Sequence, residues 1–297
     1  MISRSAAVSA GPDVFAALRI QLTYAWRMRR LADLDAPRRF TELVQLRKLY
    51  DRDPALPPLL DKVAVKSAVA DALGPEWTIP TAWQGSALPD ALPFAAPAIL
   101  KARHGCNQNR VLGQVPGARE HAALQQTTAR WTARPYGEWL DEWAYRDVPR
   151  GLIAEPLLDD GGVLPVDYKI YVFAGRASHV QVHVDRARDH RWHLHDRDFR
   201  PLVAGAETVR RPASLNAMLG AAETLAAGHS FLRVDFYEIA GRPMFGEFCI
   251  YPGSGLDRFA ADWIDIELGA LWRDALGHAP VLSEPSHAPS GVPAFAP

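Results

Sequence analysis

The chain has few cysteines and no excess of charge of either sign. Its two cysteines, Cys106 and Cys249, are too few for a disulfide framework, which favours a reducing compartment. Lysine and arginine together number 33 and aspartate and glutamate 34, which gives a formal net charge of −1. Because such a chain has no overall basic field, we expect no nucleic-acid partner.

Long apolar runs are also missing. No run approaches the roughly 18 apolar residues of a membrane-spanning helix, and the opening segment MISRSAAVSAGPD has no apolar core of signal-peptide length. We therefore expect a cytoplasmic protein without a membrane span. With 297 residues, 48% of them hydrophobic and 23% charged, the composition is that of an ordinary globular protein with a substantial core.

Common nucleotide-binding motifs are absent as well, since neither GxxxxGKS/T nor GxGxxG occurs. Any phosphate site must therefore be built from single cations in or beside strands and loops. The candidates are Lys62, Lys101, Lys169, Arg186 and Arg233. Lys66 follows Lys62 by four residues on one predicted helix, a spacing typical of solvated surface lysines.

Hydrophobic periodicity predicts a helical first part of the chain and a second part richer in strands. Helices are predicted at 14–33, 41–53, 59–74, 118–133 and 213–228. GLIAEPLL, residues 151–158, predicts a strand, and DYKIYVFAG with ASHVQVHVD predicts a hairpin about Gly175. The Pro- and Ser-rich residues 279–297 predict a disordered tail.

The stretch 231–255, FLRVDFYEIAGRPMFGEFCIYPGSG, predicts a second hairpin and the densest functional pattern in the chain. With a three-residue loop at 240–242, Asp235 lies directly opposite Glu247, with β-carbons roughly 5 Å apart. A two-residue turn would offset the pair by one residue and place the two side chains on opposite faces.

Two facing carboxylates repel each other, and a divalent cation, a shared proton or a flanking arginine could offset that repulsion. Mg²⁺ suits an all-oxygen pair, because it uses one or two protein carboxylates together with water and phosphate oxygens. The alternatives are a solvent-facing pair, an ion network of Arg233 with Asp235 and Glu247, and a retaining glycosidase that would act without a nucleotide.

Five histidines with nearby acids also raise the question of a transition-metal site. They are His179, His183, His190, His193 and His195. Nearby arginines would oppose a bound cation, so the pattern disfavours such a site. They are Arg186, Arg188, Arg191 and Arg197.

Seven segments together make the chain resemble the TupA-like branch of the ATP-grasp superfamily over roughly residues 37–270. They are, in order, FTELVQLRKLYDRDP, LLDKVAVK, ILKARHG, GLIAEPLL, DYKIYVFAG, the D-R-x-x-x-H run at 185–190, and LRVDFYEIAGRPMFGEFCIYPGSG. The resemblance implies an α+β fold in which two lobes with mainly antiparallel sheets grip ATP. It implies a helical N-terminal region and connector at 1–97, a small lobe at 98–158, a large lobe at 159–278 and the tail.

The resemblance also implies roles for single residues. Lysines of both lobes reach the nucleotide phosphates, namely Lys101 and Lys169, with Lys62 as a further candidate. A phosphate-covering loop contains His104, Gly105 and Asn109. The adenine lies at the hinge formed by Glu155, Pro156 and Leu158, with Asp159 or Asp160 near the ribose. Asp235 and Glu247 correspond to Mg²⁺ ligands.

The implied activity is that of an ATP-dependent carboxylate–amine ligase, which forms an amide through an acyl phosphate in polysaccharide, peptide-polymer or small-molecule biosynthesis. Its partners would be a small-molecule or glycan carboxylate and an amine such as an amino acid. Arg186 and Arg233 are expected to bind the carboxylate, and His190 to orient substrate or accept the amine proton. Ser254 and Gly255 are expected to bound the acceptor site.

Two departures from the family pattern keep other functions open. Cys249 stands where relatives usually have an oxygen-bearing side chain, and the covering loop is HGCNQN rather than a glycine-rich segment. The alternatives are a kinase that stops after phosphorylating a sugar or carboxylate, and an inactive module that binds a nucleotide or a glycan.

Overall fold

The computed structural model describes residues 14–158, 164–184, 191–204 and 209–278. The ribose contact of Asp159 or Asp160, the substrate roles of Arg186 and His190, and the tail at 279–297 lie outside these residues. The helices of the described residues are α1 (Val14–Met28), α2 (Phe40–Tyr50), α3 (Ala64–Leu73), α4 (Ala118–Ala133), α5 (Leu215–Leu225) and α6 (Asp262–His278). None of these helices is long and apolar enough to cross a membrane.

Two antiparallel sheets accompany the helices, as an α+β fold requires. The small sheet has the order β1-β4-β2-β3 and consists of β1 (Trp83–Gly85), β2 (Ala98–Ala102), β3 (Asn109–Leu112) and β4 (Leu152–Pro156). The large sheet has the order β7-β6-β5-β8-β9 and consists of β5 (Asp167–Phe173), β6 (Arg176–Val184), β7 (Arg191–Asp196), β8 (Phe231–Ile239) and β9 (Arg242–Cys249).

Strand β1 lies in the segment that the sequence predicts to be a connector. It pairs with β4, with Gln84 opposite Ile153, so the small sheet also draws on chain before residue 98. A three-residue strand is too short to show an alternation of apolar and polar residues, so sequence periodicity does not predict β1. The lobe boundaries at residues 158 and 278 stay predictions.

The alternation of β5 and β8 gives the large sheet one largely apolar face and one mixed face. Ile170 and Val234 are buried on the apolar face. On the mixed face, Phe231 packs edge-on against Phe40 of α2 and lies close to Trp272 of α6. These aromatic contacts cover one end of the face, and charged side chains occupy the rest of it.

Helix α2 is buried over almost its whole length, and its polar side chains bind backbone carbonyls of the large sheet. Arg47 donates to the carbonyl oxygens of Phe231 at 3.1 Å and Ile250 at 3.2 Å. Gln45 donates to the carbonyl oxygen of Ser254 at 2.9 Å. The helix thereby fixes β8, the end of β9 and the turn that follows it.

Candidate active site

The β8–β9 hairpin pairs Asp235 directly with Glu247. The predicted pairing is confirmed, but the predicted three-residue turn is wrong. The turn consists of Ala240 and Gly241, at φ 49° and φ 75°, which is the left-handed pair that a two-residue hairpin turn favours. The missing residue is supplied by a β-bulge at Gly246, which has no partner between the pairs Phe236–Phe245 and Asp235–Glu247.

Register places four polar residues in one row across the large sheet. Gln181 of β6 lies opposite Lys169 of β5, Lys169 lies opposite Asp235 of β8, and Asp235 lies opposite Glu247 of β9. Directly paired residues project from the same face. The two predicted metal ligands are therefore neighbours, and the predicted phosphate-binding lysine adjoins them.

Both oxygens of Asp235 are engaged by cations. Arg233 binds the carboxylate in a bidentate manner, with Nε 2.8 Å from Oδ1 and Nη2 2.8 Å from Oδ2. Lys169 Nζ lies 2.5 Å from Oδ2 of Asp235 and 2.7 Å from Oδ2 of Asp167. Asp167, Lys169, Arg233 and Asp235, which we call the large-sheet cluster, are all buried. A flanking arginine, together with a lysine, therefore offsets the charge of Asp235.

The cluster keeps its cations charged despite their burial. Burial would lower the pKa of Lys169, but Asp167 and Asp235 outweigh it and raise this pKa above its usual value. Burial likewise opposes charge on Arg233, and Asp235 again raises the pKa. Because Asp235 is only 1% exposed and held by two cations, it is poorly suited to act as a glycosidase nucleophile.

Glu247 is half-buried and lies where the two sheets meet. Its Oε2 is 3.5 Å from Nζ of Lys62, which also donates to the carbonyl oxygen of Gly105 at 2.7 Å. Burial would raise the pKa of Glu247, but Lys62, Lys169 and Arg233 together lower it. Glu247 therefore stays ionised at the end of the row that also holds Lys169 and Asp235.

The donor chemistry of the acid pair fits Mg²⁺, which prefers carboxylate oxygens. Within the described residues, no group of three His, Cys, Asp or Glu side chains could hold a metal on its own. A cation at this position would have to share Asp235 with Arg233 and Lys169. Cys249 would not help, because burial raises the pKa of its thiol to about 12.

A second group of charges, which we call the small-sheet cluster, consists of Lys66, Lys101 and Glu155. Lys101 Nζ donates to Oε2 of Glu155 at 2.6 Å, and Lys66 forms an ion pair with Oε1 of the same carboxylate. Burial would raise the pKa of Glu155, but the two lysines outweigh it and lower it. Lys66 is thus an internal partner and not the solvated residue that its helical spacing suggested.

The predicted covering loop closes against the chain that precedes α3. Arg103 forms a bidentate ion pair with Asp61, and the backbone N–H of Lys62 donates to the carbonyl oxygen of Arg103 at 3.2 Å. His104 is fully buried, with Nε2 3.0 Å from the carbonyl oxygen of Trp131, and burial lowers its pKa. Its ring therefore ties the loop after β2 to helix α4. Asn109 is exposed at the start of β3, opposite Lys101.

The predicted hinge residues lie on β4 and just after it. Glu155 and Pro156 pair with Ile99 and Ala98 of β2, and Leu158 is the last described residue before residue 164. Pro156 is exposed, whereas the Glu155 carboxylate is turned into the small-sheet cluster. The structure thus links the predicted adenine contact to the predicted phosphate-binding Lys101.

The turn Gly253–Gly255 places Ser254 over helix α2. Ser254 has φ 58°, an unusual value for a residue with a side chain, and its neighbours have φ 52° and φ 65°. Lys48 Nζ donates to the Ser254 hydroxyl and carbonyl oxygens, both at 2.7 Å, and Glu142 hydrogen-bonds with Ser254. The predicted acceptor-site hydroxyl is therefore bonded internally.

Lys48 and Glu142, which flank Ser254, were not predicted as site residues. Burial lowers the pKa of Lys48 to about 8 and raises the pKa of Glu142 to about 7. The two residues are distant in sequence, so only the tertiary fold brings them together.

The covering loop and the β8–β9 hairpin meet around a cavity of about 20 Å³. Lys62, Cys106, Glu247 and Cys249 contribute to its lining. A cavity of this size holds about one water molecule.

Comparison with known proteins gives one extended match by sequence and several distant ones by structure. A family model described as "TupA-like ATPgrasp" matches residues 42–273, well over half of the chain. A sequence search of curated proteins gave no match.

Three solved structures illustrate the structural similarity. The ATP-grasp ligase PsnB, complexed with a minimal precursor, has 13% identity and a TM-score of 0.40 over 75% of this chain and 61% of that chain. D-alanine–D-alanine ligase from Bacillus anthracis, complexed with ATP, has 13% identity and a TM-score of 0.45 over 74% and 64%. D-cycloserine synthetase DcsG has 18% identity and a TM-score of 0.41 over 75% and 72%. The chain thus matches about three fifths of PsnB.

Proposed function

Because the chain belongs to the TupA-like ATP-grasp family, we propose that it is an ATP-dependent carboxylate–amine ligase that forms an amide through an acyl phosphate. The observation that carries this proposal is the row of Lys169, Asp235 and Glu247 across the large sheet. Lys62, from the segment that supports the covering loop, reaches the same row at Glu247. Cations that hold a triphosphate would thereby come from both sides of the nucleotide.

The lysines would bind the phosphates and neutralise the charge that develops during phosphoryl transfer. Lys62, Lys101 and Lys169 are the residues assigned to this role. Asp235 and Glu247 would hold Mg²⁺, which supplies further neutralisation of the phosphate oxygens. Lys169 and Arg233 would exchange part of their contact with Asp235 for contacts to the anionic substrates.

Arg233 would fix the substrate carboxylate, since a guanidinium binds a planar carboxylate through two parallel hydrogen bonds. It already makes this type of contact with Asp235. A carboxylate oxygen would attack the γ-phosphorus with ADP as the leaving group. The amine nitrogen would then attack the acyl carbon, lose a proton and displace phosphate.

The acceptor amine would bind beside the turn Gly253–Gly255, through its backbone rather than through the Ser254 hydroxyl. We assign the carboxylate to the small-molecule or glycan class and the amine to the amino-acid class. Asp159, Asp160, Arg186 and His190 keep the roles that the family resemblance implies, as proposals.

The test is ADP release by the full chain with Mg²⁺ and a panel of amino acids and sugar acids. The proposal expects ADP release that depends on both a carboxylate and an amine, with an amide as the product. A phosphorylated carboxylate or sugar as the final product would instead identify a kinase. ADP release without dependence on either substrate class would contradict both.

A second candidate is a module that binds a nucleotide without turning it over. Two observations favour it, namely the bidentate Arg233–Asp235 pair and the protonated thiol of Cys249 beside it. Calorimetric binding of ATP together with no ADP release across the whole panel would support this candidate over the ligase.

A further inference from the structure

Helix α1 presents a wide apolar face to solvent. Its exposed large side chains are Val14 at 75%, Phe15 at 73%, Leu18 at 55%, Leu22 at 63% and Trp26 at 68%. At about 3.6 residues per turn these five positions fall in one stripe that covers about a third of the helix circumference. The opposite side is buried through Ile20, Tyr24 and Met28. The helix therefore has two apolar sides, of which the protein covers the one with Ile20, Tyr24 and Met28.

The surroundings of this stripe are basic. Residues 14–32 contain four arginines and no acid. Two of these arginines are paired, Arg19 with Asp141 and Arg30 with Asp262, so the basic character comes from the others. Arg27 and Arg29 are exposed at the end of the helix, and the Arg27 guanidinium lies 5.7 Å from the centre of the Trp26 ring. Arg258, also exposed, donates to the carbonyl oxygen of Arg27 at 2.9 Å. A partner for this face must therefore combine an apolar phase with negative charge.

A second copy of the chain fits this requirement poorly. A twofold contact between two such faces would bring the same arginines of both copies together, and like charges repel. The thirteen residues before α1 also fit poorly, because Met1, Ile2 and Val8 are their only large apolar residues. An acidic lipid surface meets both needs, since apolar side chains enter the acyl boundary while arginines contact anionic headgroups.

We propose that the exposed face of α1 docks on the surface of an anionic phospholipid bilayer. The five apolar side chains enter the boundary between headgroups and acyl chains, and Trp26 lies at headgroup level, where its ring is favoured. Arg27, Arg29 and Arg258 contact the acidic headgroups. The proposal does not depend on the ligase assignment, because it uses no residue of the candidate active site.

The test is sedimentation of the full chain with vesicles of phosphatidylcholine alone or mixed in equal parts with phosphatidylglycerol. We expect binding to the mixed vesicles at least about tenfold tighter than to phosphatidylcholine, and weaker binding at high salt. The triple variant Leu18→Ser, Leu22→Ser and Trp26→Ser should lose at least about tenfold in affinity for the mixed vesicles.

Trp263→Ser on α6 removes another exposed tryptophan, 46% exposed, and should leave vesicle binding unchanged. Arg27→Gln with Arg29→Gln should reduce the preference for phosphatidylglycerol while preserving the fold. An unchanged unfolding midpoint would show that the triple variant still folds.

Failure of the full chain to sediment with either kind of vesicle would overturn the proposal. Equal loss of binding in the Trp263 variant would do the same. A solution dimer that the triple variant converts to a monomer, without vesicle binding by the wild type, would assign the face to a second copy instead.

Discussion

The large-sheet and small-sheet clusters differ in their balance of charge. The large-sheet cluster holds two cations against two carboxylates, whereas the small-sheet cluster holds two lysines against Glu155 alone. Both carboxylates at the centre, Asp235 and Glu155, are buried. The small-sheet cluster therefore has a positive charge to offer a phosphate, while the large-sheet cluster must first exchange an internal partner.

The two clusters also differ in the kinds of element that carry their residues. Four strand residues build the large-sheet cluster, two on β5 and two on β8, and they alternate with apolar or aromatic neighbours along each strand. The small-sheet cluster joins α3, β2 and β4, which are distant in sequence. Removing one charge from each cluster should therefore change stability and ADP release to different extents.

The largest effect is expected for Asp235→Asn. The substitution keeps the side-chain shape but leaves Lys169 and Arg233 against Asp167 alone. We expect a loss of about 3 kcal/mol in the free energy of unfolding, since removing one partner of a buried ion pair has a cost of that order. Urea unfolding measures this loss, and ADP release should fall by about a thousandfold. Asp198→Asn, at an exposed site, is the control, and near-normal stability and turnover in the Asp235 variant would contradict the assignment.

A substitution of Glu142 tests whether the number of lysine partners decides if a buried carboxylate is ionised. Among the described residues, Lys48 is the cation that lowers the pKa of Glu142, and burial outweighs this and raises the pKa to about 7. The folded protein then keeps the Glu142 proton to higher pH than the unfolded chain, so stability should fall as pH rises from about 4.5 to 7. Glu142→Gln should remove this contribution, which amounts to at most about 3 kcal/mol at 1.4 kcal/mol per pKa unit. Equal pH slopes of the two proteins in urea unfolding would rule this out.

Lys101→Met removes the excess charge of the small-sheet cluster. Lys66 still pairs with Glu155, so the loss of stability should stay below about 1 kcal/mol. We expect the KM for ATP to rise about tenfold, equivalent to about 1.4 kcal/mol of binding. Steady-state ADP release and urea unfolding measure the two effects. Lys66→Met, matched in chemistry, should have the smaller effect on KM, and the reverse order would assign the phosphate contact to Lys66.

For Glu155→Gln the sign of the pH dependence of stability should oppose that of Glu142. The two lysines hold the pKa of Glu155 below its usual value, so the stabilisation is present above about pH 4.5 and is lost as pH falls through the lower, folded value. The variant should flatten the acid limb of the stability curve by about 1.4 kcal/mol for each unit by which the pKa is lowered. An unchanged acid limb would show that the lysines do not stabilise the carboxylate.

The family and the α+β fold were predictable from the sequence, because seven segments carry the resemblance and strands β5, β8 and β9 show clear alternation. The Asp235–Glu247 pairing was predicted correctly with the wrong turn, because a glycine inside a strand pattern indicates a bulge only weakly. For His104, the sequence did not predict the orientation of the side chain. The resemblance gave its position in the loop, but burial against Trp131 decides where the ring points.

The residues that the sequence did not indicate are all held by long-range contacts. Lys66 and Glu155 are 89 residues apart in the sequence, and Lys48 and Ser254 are 206 residues apart. Neither helical spacing nor strand alternation carries information about such partners. These charges could be assigned only once α2 and α3 had been placed against the sheets.

The bulge at Gly246 changes how sequences of relatives should be aligned at the hairpin. Gly246, which lies between Phe245 and Glu247 on β9, has no cross-strand partner in the ladder with β8. A relative that lacks this residue would therefore form a regular ladder and keep its two acids side by side. A larger residue there would crowd the strand, because a β-carbon at 246 would lie 3.1 Å from the carbonyl oxygen of Asp235. An alignment gap at this position is therefore compatible with an intact acid pair, whereas a side chain there requires Asp235 or Tyr237 to shift by a few tenths of an ångström.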